Sequence, residues 1–123
     1  MDIELTLHCS DLSASVAFYD KIFWARPSER GAPPDRMERV AIANGVWLKL
    51  VERRNLPATR CSLEFNGFDV MTLWEKIRAH VPAYEGSTET MPNGHCWGPY
   101  EYPGGNAMAI KDPDGHYFSF AEW

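Results

Sequence analysis

Three side chains in strand-like segments of this sequence have the types needed for metal binding or acid–base chemistry. Glu4 and His8 alternate with apolar residues in "DIELTLHCSDL", and Glu64 does the same in "RCSLEFNGFD". Imidazole and carboxylate groups are ligands that divalent metals accept, and a histidine can also serve as a general base. A lone histidine on a strand is more often a hydrogen-bonded structural residue. Both interpretations of His8 therefore stay open.

Aromatic side chains are concentrated near the end of the chain. Trp97, Tyr100 and Tyr102 lie in "PNGHCWGPYEYPGG", whose glycines and prolines favour a loop. Such a loop either tucks its aromatic rings into the core or closes as a lid over a site, where the rings stack on a flat or cationic ligand. His116 follows a turn and is predicted to be solvated.

The elements that carry these residues occur twice. In each half an alternating strand is followed by an aspartate that caps a helix, and aligning Asp11 with Asp69 superimposes the two patterns. Each half ends in two strands around an Asx-Gly turn, at Asn44-Gly45 and at Asp114-Gly115. Each half is therefore predicted to be a strand, a helix and about three strands.

This repeat predicts an α+β fold of two βαβββ modules, with module one at 1–53, a linker at 54–60 and module two at 61–123. Neither module can bury its sheet face alone. We therefore expect the two to pair in a single domain with a curved, cup-like mixed sheet. The helices, predicted at 12–23 and 70–81, would cover its convex side.

The motifs "SDLSASVAFYDKIF" and "AIKDPDGHYFSFAE" resemble the vicinal oxygen chelate superfamily, which includes glyoxalase I, extradiol dioxygenases and bleomycin resistance proteins. The resemblance implies a central cup and, in metal-dependent members, four ligand positions. These positions fall here on Glu4, Lys49, Ser62 and Ser119. Serine is a poor ligand and an ammonium has no lone pair, so the resemblance implies that the metal site is lost and that no cofactor is bound. Lys49 is expected to pair with Glu4 instead.

The combination of missing ligands, aromatic residues and an acidic chain is most similar to the bleomycin resistance branch. The resemblance thus implies a metal-free protein that sequesters an aromatic or cationic organic compound, such as an antibiotic. The residues expected to line the cup and bind this ligand are Glu4, Thr6, His8, Trp47, Lys49, Ser62, Glu64, Asn66, Trp97, Tyr100, Tyr102, Tyr117 and Ser119.

Two alternatives remain. One is a metal-dependent lyase, isomerase or dioxygenase of the same superfamily with an unusual ligand set, Glu4, His8 and Glu64. The other is a regulatory or interaction module whose cup is vestigial. Whether the protein is an enzyme is therefore uncertain, and the absence of the usual ligands favours binding over catalysis.

Composition limits the setting in which the protein acts. The net charge of −5 argues against a nucleic-acid partner. Three cysteines without CxxC spacing predict free thiols in a reducing compartment, and no apolar run is long enough to span a membrane. We expect a cytoplasmic homodimer, since superfamily members with two modules commonly pair and the apolar residues Phe23 and Trp24 would need cover.

Overall fold

A computed structural model of the chain describes residues 1–26, 36–53 and 60–123. The chain divides into two compact units, Met1–Thr59 and Arg60–Trp123. In these ranges, each unit contains one α-helix and one four-stranded mixed sheet, which confirms the predicted α+β fold of two βαβββ modules. Most of the predicted linker, 54–59, lies outside the described residues.

The first unit contains β1 (Ile3–Cys9), α1 (Leu12–Asp20), β2 (Trp24–Arg26), β3 (Met37–Ala43) and β4 (Val46–Glu52). Its sheet, which we call sheet A, has the strand order β1-β4-β3-β2. β1 and β4 run parallel, whereas β3 is antiparallel to both of its neighbours. The positive φ of Gly45, 76°, allows the tight turn between β3 and β4 that the sequence predicts.

The second unit contains β5 (Ser62–Phe65), α2 (Val70–Ile77), a short 3₁₀ helix (Thr88–Thr90), β6 (Cys96–Tyr102), β7 (Gly105–Lys111) and β8 (Tyr117–Ala121). Its sheet, sheet B, has the equivalent order β5-β8-β7-β6. β5 and β8 are parallel, and β7 is antiparallel to β6 and β8.

Both helices begin at the predicted aspartate caps. The Asp11 carboxylate accepts a hydrogen bond from the backbone N–H of Ala14 at 3.1 Å. Asp69 accepts one from the N–H of Thr72 at 3.1 Å and another from its hydroxyl at 2.7 Å. These bonds from Thr72 favour the ionised carboxylate and lower the pKa of Asp69.

The helices end earlier than the sequence predicts, at Asp20 and Ile77, and a turn follows each. The apolar residues predicted for the last helical turns are nevertheless buried. Phe23 is 5% exposed and Val81 is 3% exposed, because the turns fold both side chains back into the core. Phe23 stacks on Tyr19, with ring centroids 6.3 Å apart, so the expectation that it needs cover from a second chain was wrong. The side chain of Trp24 is outside the described residues.

One face of each sheet is apolar and buried. In sheet A this face carries Leu7, Val40, Leu48 and Leu50, and α1 lies beside β2, β3 and β4. In sheet B it carries Met108, Ile110, Phe118 and Phe120, and α2 lies beside β6 and β7. The alternation of each strand leaves the opposite face, here called the open face, for the polar residues predicted to bind a ligand.

The predicted aromatic loop is a strand. The segment from Cys96 to Tyr102 forms β6, an edge strand paired with β7, so the prediction of a loop over these residues was wrong. Proline is tolerated here because β6 is at the edge of the sheet, where a missing N–H breaks no ladder. No helix within the described ranges is long and apolar enough to cross a membrane.

Candidate functional site

The open face of sheet A carries the first group of predicted site residues. Cα pairing aligns Glu4 with Trp47 and Thr6 with Lys49, and His8 lies further along the same face. Glu4 forms a salt bridge with Arg39, whose Nε lies 2.9 Å from Oε2 of the carboxylate. The expected pairing of Glu4 with Lys49 was therefore wrong.

This salt bridge covers part of sheet A. Glu4 is on β1 and Arg39 on β3, and β4 lies between these strands, so the two side chains meet above β4. The side chains are 37% and 48% exposed, so the pair is worth at most about 1 kcal/mol. Its main consequence is that the guanidinium of Arg39 neutralises the carboxylate of Glu4, which is then less able to attract a cationic ligand.

The open face of sheet B has a different character. One row of Cα partners crosses all four strands, from Trp97 on β6 through Ala109 and Ser119 to Glu64 on β5. Neighbouring strands are about 4.8 Å apart, so the outer two residues of the row are about 14 Å apart along the sheet. The two residues between them are small. We call this row of a tryptophan, two small residues and a glutamate the trough.

Aromatic residues extend one wall of the trough. Trp97 and Tyr100 lie three positions apart and would point to opposite faces of a regular strand. A β-bulge between them shifts the register, so that Trp97 pairs with Ala109 and Tyr100 with Ala107 on the same face. Their ring centroids lie 4.5 Å apart, and Tyr102 follows on that face with its ring 5.9 Å from that of Trp123.

The remaining predicted site residues lie near the trough or follow it. Ser62 is aligned with Tyr117 in the row beside the trough, on the same face. Asn66 is exposed just beyond the end of β5. The structure thus brings together the site residues of β5, β6 and β8 on one face, and those of β1 and β4 on another.

A cavity of about 340 Å³ lies at the start of β5 and β8. Six of its eight lining residues carry charged or hydroxyl groups: Arg60, Ser62, Thr88, Glu89, Lys111 and Tyr117. The Lys111 ammonium is held in place by donating a hydrogen bond to the carbonyl oxygen of Met91 at 2.8 Å. Of these residues, only Ser62 and Tyr117 were among the predicted ligand-binding residues.

Tyr117 connects this cavity to the trough. Burial of its ring is the main cause that raises the pKa of its hydroxyl, and the negative charge of Glu64 raises it further. A hydrogen bond with Thr88 acts in the opposite direction. Tyr117 is consequently neutral at physiological pH, and its hydroxyl can donate to a ligand.

The residues of the alternative metal site are divided between the sheets. Glu4 and His8 are on β1 of sheet A, and Glu64 is on β5 of sheet B, so these strands are not hydrogen-bonded neighbours. Within the described parts of the chain, no three His, Cys, Asp or Glu side chains form a group that could hold a metal ion.

The cysteines are free, as the sequence predicts: Cys9 and Cys96 are buried and Cys61 is partly exposed. Burial raises the pKa of the Cys96 thiol. Cys61 contributes a different feature, because its backbone N–H donates to Nδ1 of His116 at 2.9 Å. His116 has no exposed surface, so the prediction that it is solvated was wrong.

Comparisons with known proteins concern the fold as a whole. No protein-family model matches the sequence. A search of curated proteins also finds no match. Solved structures do match over nearly the whole chain. One is a bleomycin-binding protein in complex with bleomycin, with a TM-score of 0.68 and 18% identity over 98% of this chain and 95% of that one.

Two further solved structures show the range of proteins that share the fold. TnmS3, an antibiotic binding protein from Streptomyces sp. CB03234, has a TM-score of 0.65 and 19% identity over 98% of this chain and 93% of that one. The oxidase ChaP-H2 has a TM-score of 0.64 and 23% identity over 98% of this chain and 91% of that one. The chain therefore has the fold of the glyoxalase and bleomycin resistance proteins, in agreement with the resemblance of its motifs to the vicinal oxygen chelate superfamily.

Proposed function

We propose that this chain is a metal-free small-molecule binding protein that sequesters an aromatic or cationic organic compound, such as an antibiotic. The ligand would lie in the trough of sheet B, with Trp97 and Tyr100 on one side and Glu64 on the other. The observation that carries the proposal is the row of small residues, Ala109 and Ser119, between a large aromatic ring and a carboxylate.

The trough has the composition of a ligand site. Tryptophan and tyrosine offer large rigid faces, and a carboxylate facing them attracts a cation. Ala109 and Ser119 have short side chains; Ala109 is only 1% exposed, so in this row a flat ring would contact Ser119 together with the flanking aromatic and carboxylate side chains. The equivalent region of sheet A is occupied by the salt bridge between Glu4 and Arg39, so the trough is the stronger candidate.

The fold supports the same proposal at a coarser level. Of the structures that share it, one is named as a bleomycin-binding protein and another as an antibiotic binding protein. Binding without a metal is supported by donor chemistry, because Lys49, Ser62 and Ser119 stand where the resemblance implies metal ligands. A lysine ammonium repels a divalent cation, and serine hydroxyls bind it weakly.

The substitution Glu64→Gln tests the role of charge in the trough. Two probes of the same shape are suitable, naphthylmethylammonium as the cation and naphthamide as the neutral compound, each titrated calorimetrically. We expect Glu64→Gln to lower the affinity for the cation by about fivefold, since an exposed charge pair is worth about 1 kcal/mol. The affinity for naphthamide should stay nearly unchanged.

Glu101→Gln is the matched control. Glu101 is exposed on β6 between Tyr100 and Tyr102, so strand alternation places it on the opposite face of sheet B. The substitution Glu101→Gln removes one negative charge without altering the trough, so it should change the affinity for neither probe. If Glu64→Gln lowered the affinity for both probes equally, the role of charge would be contradicted. Failure of both probes to bind the wild type would favour the vestigial-cup hypothesis.

We further propose that the protein is a cytoplasmic homodimer. This rests on the resemblance to two-module superfamily members, since Phe23 is covered within its own unit. Sedimentation equilibrium at micromolar concentration should give twice the 14.0 kDa of one chain. A mass of one chain across the concentration range would contradict the dimer.

A further inference from the structure

The cavity at the start of β5 and β8 carries more positive than negative charge. Arg60 and Lys111 line it, and Glu89 is the one carboxylate among its lining residues. This local excess of positive charge occurs in a chain with a net charge of −5. The field at this cavity is thus opposite in sign to that of the chain as a whole, which favours an anion over a cation at this place.

Among the residues that the structure describes, no carboxylate forms an ion pair with either cation. Within the described residues, Lys111 bonds to a backbone carbonyl oxygen and Arg60 forms no ion pair. The side chain of Arg60 instead lies against Gly115. A Cβ atom added to Gly115 would be 3.0 Å from the Nε atom of Arg60. A partly buried ammonium with donors to spare is a suitable partner for an anion, since charge-assisted hydrogen bonds are about twice as strong as neutral ones.

Hydroxyl groups complete the polar lining. Ser62, Thr88 and Tyr117, which carry hydroxyl groups, are among the lining residues, and the side chains of Thr88 and Tyr117 are hydrogen-bonded to each other. A carboxylate can accept several hydrogen bonds at once, so a site that combines cations with hydroxyl donors suits it better than it suits an ammonium. The cavity volume of about 340 Å³ is at the lower end of the range found for small-molecule sites.

The cavity adjoins the trough. Ser62 and Glu64 are two positions apart on β5, and Tyr117 and Ser119 are two positions apart on β8, so both pairs share the open face and are separated by about 7 Å. A ligand with an aromatic ring in the trough could thus place a substituent in the cavity. This continuity determines which part of the ligand the cavity would recognise.

We infer that the cavity binds a carboxylate or similar anionic group on the aromatic ligand, with Lys111 and Arg60 as the recognising cations. The inference rests on the proposed binding of an aromatic compound in the trough. It extends that proposal, because it defines the ligand as an aromatic acid, or as a compound with an acidic group at one end and a basic group near Glu64.

Calorimetric titration of naphthoate and naphthamide, which differ in charge but hardly in shape, tests this inference. The wild type should bind naphthoate at least about fivefold more tightly than naphthamide, and 0.5 M NaCl should reduce that preference by screening, with a Debye length of about 4 Å. Arg60→Gln and Lys111→Met should each reduce the preference for naphthoate while leaving naphthamide binding unchanged.

Two controls keep the result interpretable. Arg78→Gln makes the same charge change as Arg60→Gln, but at an exposed position at the end of α2, and should retain the full preference. Lys111→Met also removes the hydrogen bond to Met91, so its thermal stability is measured in parallel; Arg60→Gln removes no such bond and gives an independent result.

The outcomes separate the two proposals. If naphthamide binds and naphthoate binds no more tightly, the anion site is overturned and the trough stands. If Arg78→Gln reduces the preference as much as Arg60→Gln does, the effect is one of net charge and the anion site is again overturned. If neither compound binds the wild type, both proposals fail.

Discussion

Gly98→Ala is expected to destabilise the protein by about 2–5 kcal/mol and to weaken the binding of a neutral aromatic ligand. Gly98 has a φ of +80°, a conformation that costs an L-residue about 1–2 kcal/mol. A Cβ atom there would also lie 2.9 Å from the carbonyl oxygen of Ala107 and 3.1 Å from the backbone nitrogen of Tyr100. Overpacking of this kind adds about 1–3 kcal/mol.

The effect should reach the trough because Gly98 is in the bulge that aligns Trp97 with Tyr100. Relief of the clash requires β6 to move away from β7 or to lose the bulge, and loss of the bulge would turn one of the two rings to the other face. Unfolding in urea measures the stability, and calorimetry with naphthamide measures the binding.

Gly94→Ala separates the two causes. Gly94 has a similar φ of +77°, but a Cβ atom there would meet no atom within 4 Å. Gly94→Ala should thus show the torsional cost alone, about 1 kcal/mol, with naphthamide binding unchanged. Equal losses of stability and affinity in the two variants would contradict the assigned role of the bulge.

The strand alternation and the repeat could be predicted from the sequence because they depend on short-range patterns. Caps at Asp11 and Asp69, the turn at Gly45 and the outward direction of Glu64 follow from residue types a few positions apart. Because the same pattern occurs twice, each copy supports the assignment of strands and helix in the other. The helix ends were less predictable, because tertiary packing buries Phe23 and Val81 in turns as well as it would in helices.

A third strand in the second half was predicted, but its position at Cys96–Tyr102 was not, because glycine and proline in this segment favour a loop by composition alone. Pro99 and Gly98 argue against a central strand, but an edge strand accepts both, and here both lie in the bulge between Trp97 and Tyr100. The partner of Glu4 depended on strand order in a similar way. Arg39 becomes its neighbour only when β4 lies between β1 and β3, an arrangement that the alternation of single strands does not specify.

The burial of His116 is related to a nearby residue in the sequence, Asp112, although the Asp114-Gly115 turn suggests an exposed position. Asp112 precedes the turn, and its Oδ1 accepts hydrogen bonds from the backbone N–H groups of Asp114 at 2.9 Å and His116 at 2.8 Å. Such an Asx turn folds the chain back on itself. His116 is thereby directed into the second unit, although Pro113 and Asp114 in the turn remain partly exposed.

His116→Ala is expected to be the most destabilising substitution of a histidine in this chain, with a loss of about 3–4 kcal/mol. The ring is fully buried, and its Nδ1 accepts the backbone N–H of Cys61, which ties the start of β5 to the β7–β8 turn. Removal of the acceptor leaves the partly buried N–H of Cys61 without its partner, at about 1–2 kcal/mol, and the lost ring volume adds a cavity cost of about 2 kcal/mol.

Two variants divide this loss into its parts. His116→Asn retains an acceptor at the position of Nδ1 and should recover the hydrogen-bond part, so that about 1–2 kcal/mol of the loss remains. His80→Ala removes an exposed histidine beyond the end of α2 and should change the free energy of unfolding by less than about 0.5 kcal/mol. The free energies come from urea unfolding at one pH. If His116→Asn were as unstable as His116→Ala, the hydrogen bond to Cys61 would contribute nothing to the free energy of unfolding. Packing of the ring alone would then hold the start of β5 against the β7–β8 turn, and with it the cavity wall formed by Arg60 and Ser62.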